Sequence, residues 1–323
     1  MATVFVLSAS IYSLLPRIKI SPSPPPVLLR TIPQCRAFVK AIKTDSSNAT
    51  IGLVPTMGCL HKGHLSLVHQ SKLTNNITIA SIFVNPSQFS PDEDLASYPA
   101  TFERDVDQLT AAGCDAVFCP SAADVYQKSS ICTVDPVGFN LNLKEGESRP
   151  HFFKGVATVV AKLFNIVHPD RAYFGQKDAA QTILISRMTA DLNFDVEIVI
   201  SPTVREPSGL AMSSRNEYLS LEDRQTAALI YEALSFGRDY CRKKLDVDVV
   251  LQSCDIIGAV EKVLSTNRLL EVKYISVDSG ATMKSVDSVT ADSKFVISAA
   301  VIFAGVRLID NVVCDFSVAS KSQ

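Results

Sequence analysis

Four consecutive residues, His61-Lys62-Gly63-His64, combine residue types and a spacing that suit anion chemistry. Imidazoles three apart at the start of a helix face the same side and can meet one anion together. The N-terminus of that helix adds free backbone N–H groups and a partial positive charge, which makes it a seat for phosphate. Gly58 and Gly63 would let backbone approach a ligand without Cβ interference. Three more stretches carry compatible groups. Gly175-Gln-Lys-Asp178 sets a lysine beside a carboxylate. Asn85-Pro-Ser-Gln-Phe89 offers neutral donors and acceptors. Ser213-Ser-Arg215 joins two hydroxyls to a guanidinium, which grips phosphate through parallel N–H bonds. Each alone has an ordinary reading, as a solvated ion pair, turn chemistry or surface loop. Cys59, His61, His64 and His69 also crowd together, but a zinc site needs a second ligand pair elsewhere, and the chain offers none.

The elements around these residues place them at equivalent positions. Ile51 to Thr56 is short, apolar and bounded by Gly and Pro, which predicts a buried strand. The spacing of Leu65, Val68 and Leu73 predicts a helix from His64. Val27 to Lys43 reads as strand then helix, Thr78 to Val84 as a strand, Thr101 to Ala112 as a helix ended by Gly113, and Asp115 to Cys119 as a further strand. A loop over 149–155 precedes a helix from Val156 to Val167. Arg171 to Phe174 is a strand, a helix with Ile183, Leu184 and Met188 follows, and Val196 to Ile200 is another strand. Such alternation predicts an α/β fold with a parallel sheet and right-handed crossovers. The chemistry-bearing loops follow strands, where open parallel sheets bind ligands. After the polar connection from Pro202 to Leu219, helices over Leu221 to Lys243 and Asp246 to Leu264 precede strands over Leu270 to Val277, Lys294 to Val301 and Val306 to Asn311. Helices followed by strands indicate a smaller α+β domain. The expected division is 27–201 and 202–323.

Composition narrows the function classes. With 31 basic and 33 acidic residues in 323, nothing calls for nucleic acid or an acidic membrane surface. No apolar run reaches the roughly 18 to 20 residues of a membrane helix. Eight scattered cysteines without a Cys-x-x-Cys read as reduced thiols of an intracellular protein. Residues 1–26 hold Arg17, Lys19, several serines and a proline cluster but no acidic residue, so they read either as an organelle transit peptide or as a disordered extension. A cytoplasmic location is expected, with the mitochondrial matrix or another organelle as the alternative.

Taken in order, the motifs resemble those of the pantothenate synthetase (pantoate–β-alanine ligase) family within the nucleotidyltransferase superfamily. The similar text is Val54-Pro-Thr-Met-Gly-Cys-Leu-His-Lys-Gly-His64, Ser81-Ile-Phe-Val-Asn-Pro-Ser-Gln-Phe89, Asp94-Leu-Ala-Ser-Tyr-Pro99 and Arg149-Pro150. It continues with Gly155 to Phe164, Phe174-Gly-Gln-Lys-Asp178, Gly209-Leu-Ala-Met-Ser-Ser-Arg-Asn216 and Arg307-Leu-Ile-Asp-Asn311. The resemblance implies a Rossmann-like sheet of the His-x-Gly-His type. It also implies condensation of pantoate with β-alanine, driven by ATP and Mg²⁺ through a pantoyl-adenylate, and a homodimer with neither nucleic acid nor membrane as partner. The implied ATP site comprises Met57, Gly58, Cys59, Leu60, His61, Lys62, Gly63 and His64, then Gly175, Gln176, Lys177 and Asp178, the backbone near Val204, and Met212, Ser213, Ser214 and Arg215. His64, His61, Lys177 and Arg215 are the implied catalytic groups. Gln88 and Gln181 are the implied pantoate contacts, with Asn85 and Tyr98 behind them, and no metal is expected on protein ligands alone.

Two departures from the family pattern stand out. Lys177-Asp-Ala-Ala-Gln181 has Ala180 where a glutamine is usual, and Phe152 stands where many members carry a histidine; His151 is one residue off. Two rival readings follow: a different nucleotidyltransferase, or a nucleotide-binding protein that has lost turnover.

Overall fold

The structure, a computed structural model, describes residues 24–90, 93–140, 144–247 and 249–316. Residues 1–23 of the expected leader lie outside the described residues. Six short strands follow from the apolar runs: β1 (Val27–Leu29), β2 (Ile51–Thr56), β3 (Ile77–Ile82), β4 (Ala116–Phe118), β5 (Arg171–Gly175) and β6 (Glu197–Ser201). They form one parallel sheet in the order β1-β4-β3-β2-β5-β6. Ile51, Leu53, Val54, Ile79 and Ala80 are buried completely, as strands covered on both faces require. Covering helices include α1 (Ile32–Asp45), α2 (Lys62–Thr74) and α3 (Phe102–Ala111). The short helices α4 (Ala122–Val125), α5 (Val137–Asn140) and α6 (Lys144–Ser148) precede α7 (Phe152–Val167), and α8 (Ala179–Asp191) follows β5. The strand order reverses between β2 and β5, so the loops leaving these two strands part and open a crevice.

The C-terminal region holds α9 (Leu221–Ala227), α10 (Leu229–Leu245), β7 (Leu251–Gln252), α11 (Ser253–Leu264), β8 (Glu271–Ser279), β9 (Ser288–Val289), β10 (Lys294–Phe303) and β11 (Val306–Asp315). An antiparallel sheet, β11-β10-β8, packs against α10 and α11 around Leu234, Ile256, Val260, Phe295 and Ile297. Ala304 and Gly305, at φ 48° and 74°, make the two-residue hairpin turn between β10 and β11.

Several boundaries differ from expectation, each for a local reason. α2 starts at Lys62, with His61 as its cap, rather than at His64. α7 starts at Phe152, so Phe152 to Gly155 is helix rather than loop. Gly155 is no breaker there: a Cβ would come within 2.3 Å of the Ser87 carbonyl oxygen, so glycine lets the helix press on the Asn85 to Phe89 turn. The expected helix from Leu221 to Lys243 divides at Ala228, whose N–H bonds Gln225 in a tight turn that neither Gly nor Pro announces. The expected helix from Asp246 begins only at Ser253. Val247 and Val249 are solvent-exposed and β-prone, and Leu251–Gln252 pair with β9 instead.

Candidate active site

Between β2 and α2 the chain turns through Gly58 and Cys59, both at positive φ (82° and 48°). A buried carboxylate fixes this turn. Asp105 of α3, 1% exposed, accepts the N–H of Cys59 at 2.9 Å and of Leu60 at 2.8 Å, and the Thr101 hydroxyl at 3.1 Å. The two imidazoles then cap α2 reciprocally. His61 Nδ1 accepts from Gly63 N–H at 3.1 Å, and His64 Nδ1 accepts from His61 N–H at 3.4 Å. Each neutral ring must therefore carry its proton on Nε2. Gly63 serves this cap: a Cβ there would meet the His61 ring at 2.8 Å.

The rings stack with centroids 4.0 Å apart. Burial, then the neighbouring His64 and Lys177, push His61 down to about 2; burial, then Lys177, push His64 down to about 4. Both are neutral Nε2–H donors at pH 7. Lys177 follows β5, 3.3 Å from Asp178. Its loop is pinned from the far end of the chain, since Asn311 of β11 donates to the carbonyls of Gln176 at 3.0 Å and Lys177 at 2.7 Å.

These groups line a cleft of about 720 Å³. Of the implied ATP residues, Met57, His61, Gly63, His64, Gly175, Lys177, Asp178, Val204, Met212, Ser213, Ser214 and Arg215 face it, as do Gln88, Gln181, Asn85 and Tyr98. Gly58, Cys59, Leu60, Lys62 and Gln176 shape the loops without lining the cleft. Three expected contacts are engaged elsewhere. Ser214 donates its hydroxyl to the Cys59 carbonyl at 2.9 Å, so it ties two loops together rather than offering that proton to phosphate. Arg215 is held side-on by Asp94, at 3.0 and 2.8 Å. Asn85, 1% exposed, bonds Ser87, Gln88, Tyr126 and the Gly155 carbonyl, which makes it a brace. Gln88 lies beside it, its amide 3.0 Å from the Met57 sulfur.

Sequence reasoning passed over several groups. Arg149 sends its fork to Glu93 at 2.5 and 2.8 Å and an N–H to the Gln88 carbonyl at 3.1 Å. Burial raises the Glu93 carboxyl, but the Arg149 hydrogen bond and charge, the Ser90 N–H and Arg215 outweigh it and hold Glu93 below the usual range. Glu145, buried at the boundary with the C-terminal region, receives Arg307 at 3.0 and 2.5 Å and the Tyr274 hydroxyl at 3.0 Å. Asp105 did have a signal: it shares the buried face of α3 with Leu109, four residues on, where a carboxylate demands partners. Glu93 has none beyond standing next to Asp94.

The departures have plain structural counterparts. Phe152 lines the cleft with the Arg149 guanidinium 3.9 Å over its ring, while His151 is exposed at the N-cap of α7 and its imidazole makes no cap bond. Ala180 is partly buried against the main core and does not line the cleft. His69 is exposed on α2, away from the capped pair.

Comparison with known proteins agrees with this geometry. The family Pantoate-beta-alanine ligase matches residues 27–313. The pantothenate synthetase of Caldicellulosiruptor bescii is 45% identical over 290 residues, covering 90% of this chain and 99% of the relative. That of Herpetosiphon aurantiacus is 46% identical over 266 residues, 82% of this chain and 94% of the relative. The crystal structure of pantothenate synthetase from Thermus thermophilus superposes with a TM-score of 0.80 at 38% identity, over 88% of this chain and 98% of that one. A pantoate–β-alanine ligase from Francisella tularensis, solved with β-γ ATP and β-alanine, gives 0.70 at 32% identity, over 89% and 97%. With this coverage in sequence and in fold, the chain belongs to the pantoate–β-alanine ligase family.

Proposed function

We propose that this chain joins pantoate to β-alanine at the expense of ATP, releasing AMP and diphosphate, and that the reaction runs in the cleft between the loops leaving β2 and β5. The observation that carries the reading is the convergence there of two neutral imidazole donors, an ammonium and a guanidinium with the carboxamides of Gln88 and Gln181. In the first step a pantoate carboxylate oxygen attacks the α-phosphorus and the bond to diphosphate breaks. Charge collects on phosphate oxygens, where His61, His64 and Lys177 supply preorganised donors and Arg215 another once phosphate replaces its carboxylate partner. Gln88 and Gln181 orient pantoate as neutral groups, leaving its carboxylate nucleophilic. In the second step the β-alanine amine attacks the acyl carbon, AMP leaves and the nitrogen loses a proton.

His64 acts in this scheme as a donor rather than a store of a transferable proton, because burial keeps its ring neutral near pH 7. Among the described residues no group of three or more His, Cys, Asp or Glu side chains could chelate a metal. Mg²⁺ would come bound to the nucleotide phosphates, and Asp178, which lines the cleft beside Lys177, is the carboxylate that would help hold it. Bound there it supplies charge neutralisation on the phosphates.

The wider reading keeps residues 27–201 as the ATP- and pantoate-binding domain, 202–323 as a lid domain, and the homodimer as the assembly; light scattering of the purified chain tests the last. The location is cytoplasmic unless residues 1–26 direct the chain to an organelle, which fluorescence of a leader fusion decides. The main test is AMP release from ATP with Mg²⁺, with pantoate and β-alanine added singly and together. AMP with pantothenate formed only when both are present supports the ligase. ATP binding without turnover defeats it.

A further inference from the structure

One short stretch holds guanidiniums on two sides of the cleft. Glu93 takes the fork of Arg149 at 2.5 and 2.8 Å, and Asp94 takes the fork of Arg215 at 3.0 and 2.8 Å. The Ser97 carbonyl adds a third fastening by accepting the Tyr218 hydroxyl at 3.0 Å. Arg215 is the one cation of the Met212 to Asn216 loop, and its Nε and one Nη already point at a carboxylate. A carboxylate edge and a phosphate edge match the same guanidinium fork, so the two compete for the same N–H groups. Without an anion, a half-buried guanidinium bears a desolvation cost, which Asp94 offsets.

We propose that Asp94 is an affinity-setting counter-anion, holding Arg215 aimed into the cleft until a triphosphate oxygen displaces it, so that ATP binding is an exchange of anions on one guanidinium. The inference rests on ATP being the nucleotide substrate. Two consequences follow. Apparent ATP affinity is lowered by the small fraction of protein in which Arg215 is free. Nucleotides without β- and γ-phosphates leave Asp94 in place, so the product AMP gains nothing from this arginine.

The test is calorimetric Kd measurement on the full chain for Mg·ATP, diphosphate and AMP, comparing the natural protein with Asp94→Asn. ATP and diphosphate are expected to bind about tenfold tighter in the variant, with AMP unchanged. Weaker ATP binding, or one common change for all three ligands, overturns the proposal. In an Arg215→Gln background the substitution at 94 should have no further effect; a persisting effect would place the exchange elsewhere. Asp94→Ser, expected to tighten ATP in the same way, replaces Asp94→Asn if melting curves show that the asparagine disturbs the loop. Turnover of the natural protein with both acids is read in parallel. Its absence would remove the ligase reading, whereas normal turnover with no tightening in either variant removes the exchange alone.

Discussion

The turn from Met57 to His64 and the loop from Met212 to Asn216 meet across the cleft but take their shape from different sources. The turn is built largely by its own neighbourhood. The two imidazoles cap the helix they begin, and Asp105, one helix away, fixes the backbone that precedes them. The loop leans on distant partners: Arg215 on Asp94, and Ser214 on the carbonyl of Cys59, 155 residues away in sequence. A rigid donor array is thus faced by one whose contacts can be traded, which suits a site that must first grip a triphosphate and later release its products.

This contrast can be broken at several points. His64→Ala and Lys177→Ala should each lower the adenylation rate by about 10²-fold or more, measured as pantoate-dependent diphosphate exchange; near-normal rates in both would empty the site of its meaning. Asp105→Ala strands two buried N–H groups and should lower unfolding stability by about 3 kcal/mol, against about 1 kcal/mol for Ser214→Ala. Equal losses in chemical denaturation would show that the turn is no better braced than the loop. The acid limb separates them further. The unfolded imidazoles take up protons near 6.5, but in the folded turn His64 does so only near 4 and His61 lower still. The unfolded state therefore binds more protons in that window, so stability falls as pH drops from about 6.5 toward 4. His64→Asn should flatten that part of the melting-temperature profile; an unchanged slope would assign it to other groups. Ala180→Gln is the smallest: turnover should stay near the natural value if Gln181 holds pantoate, whereas a large gain would move that contact by one residue.

The same division explains what the sequence revealed. The parallel sheet and its crossover helices rest on periodicity within a few residues, and these were readable, as was the phosphate-type pattern of His61 and His64, though not their mutual capping of α2. Ser213 to Arg215 was readable as a phosphate-type loop, but its present partners were not, because Asp94 and Cys59 lie more than a hundred residues away and no local pattern marks the pairing. Helix limits failed where tertiary pairing overrode periodicity, as at Leu251–Gln252, or where a glycine served packing, as Gly155 does against Ser87. Glu145 was passed over for the same reason: its partners Arg307 and Tyr274 stand in the last sheet.

The pin supplied by Asn311 has a consequence in time. Lys177 leaves the ribosome 134 residues before the side chain that fixes its carbonyl, which at ordinary elongation rates is a delay of roughly 7 to 27 s. During that interval the first sheet and its capped imidazoles can already form, while the loop carrying the ammonium still lacks the Asn311 bonds to its carbonyls. The nascent chain can thus acquire the fold of its first sheet well before it acquires a finished catalyst, and β11 is the strand that supplies the missing pin.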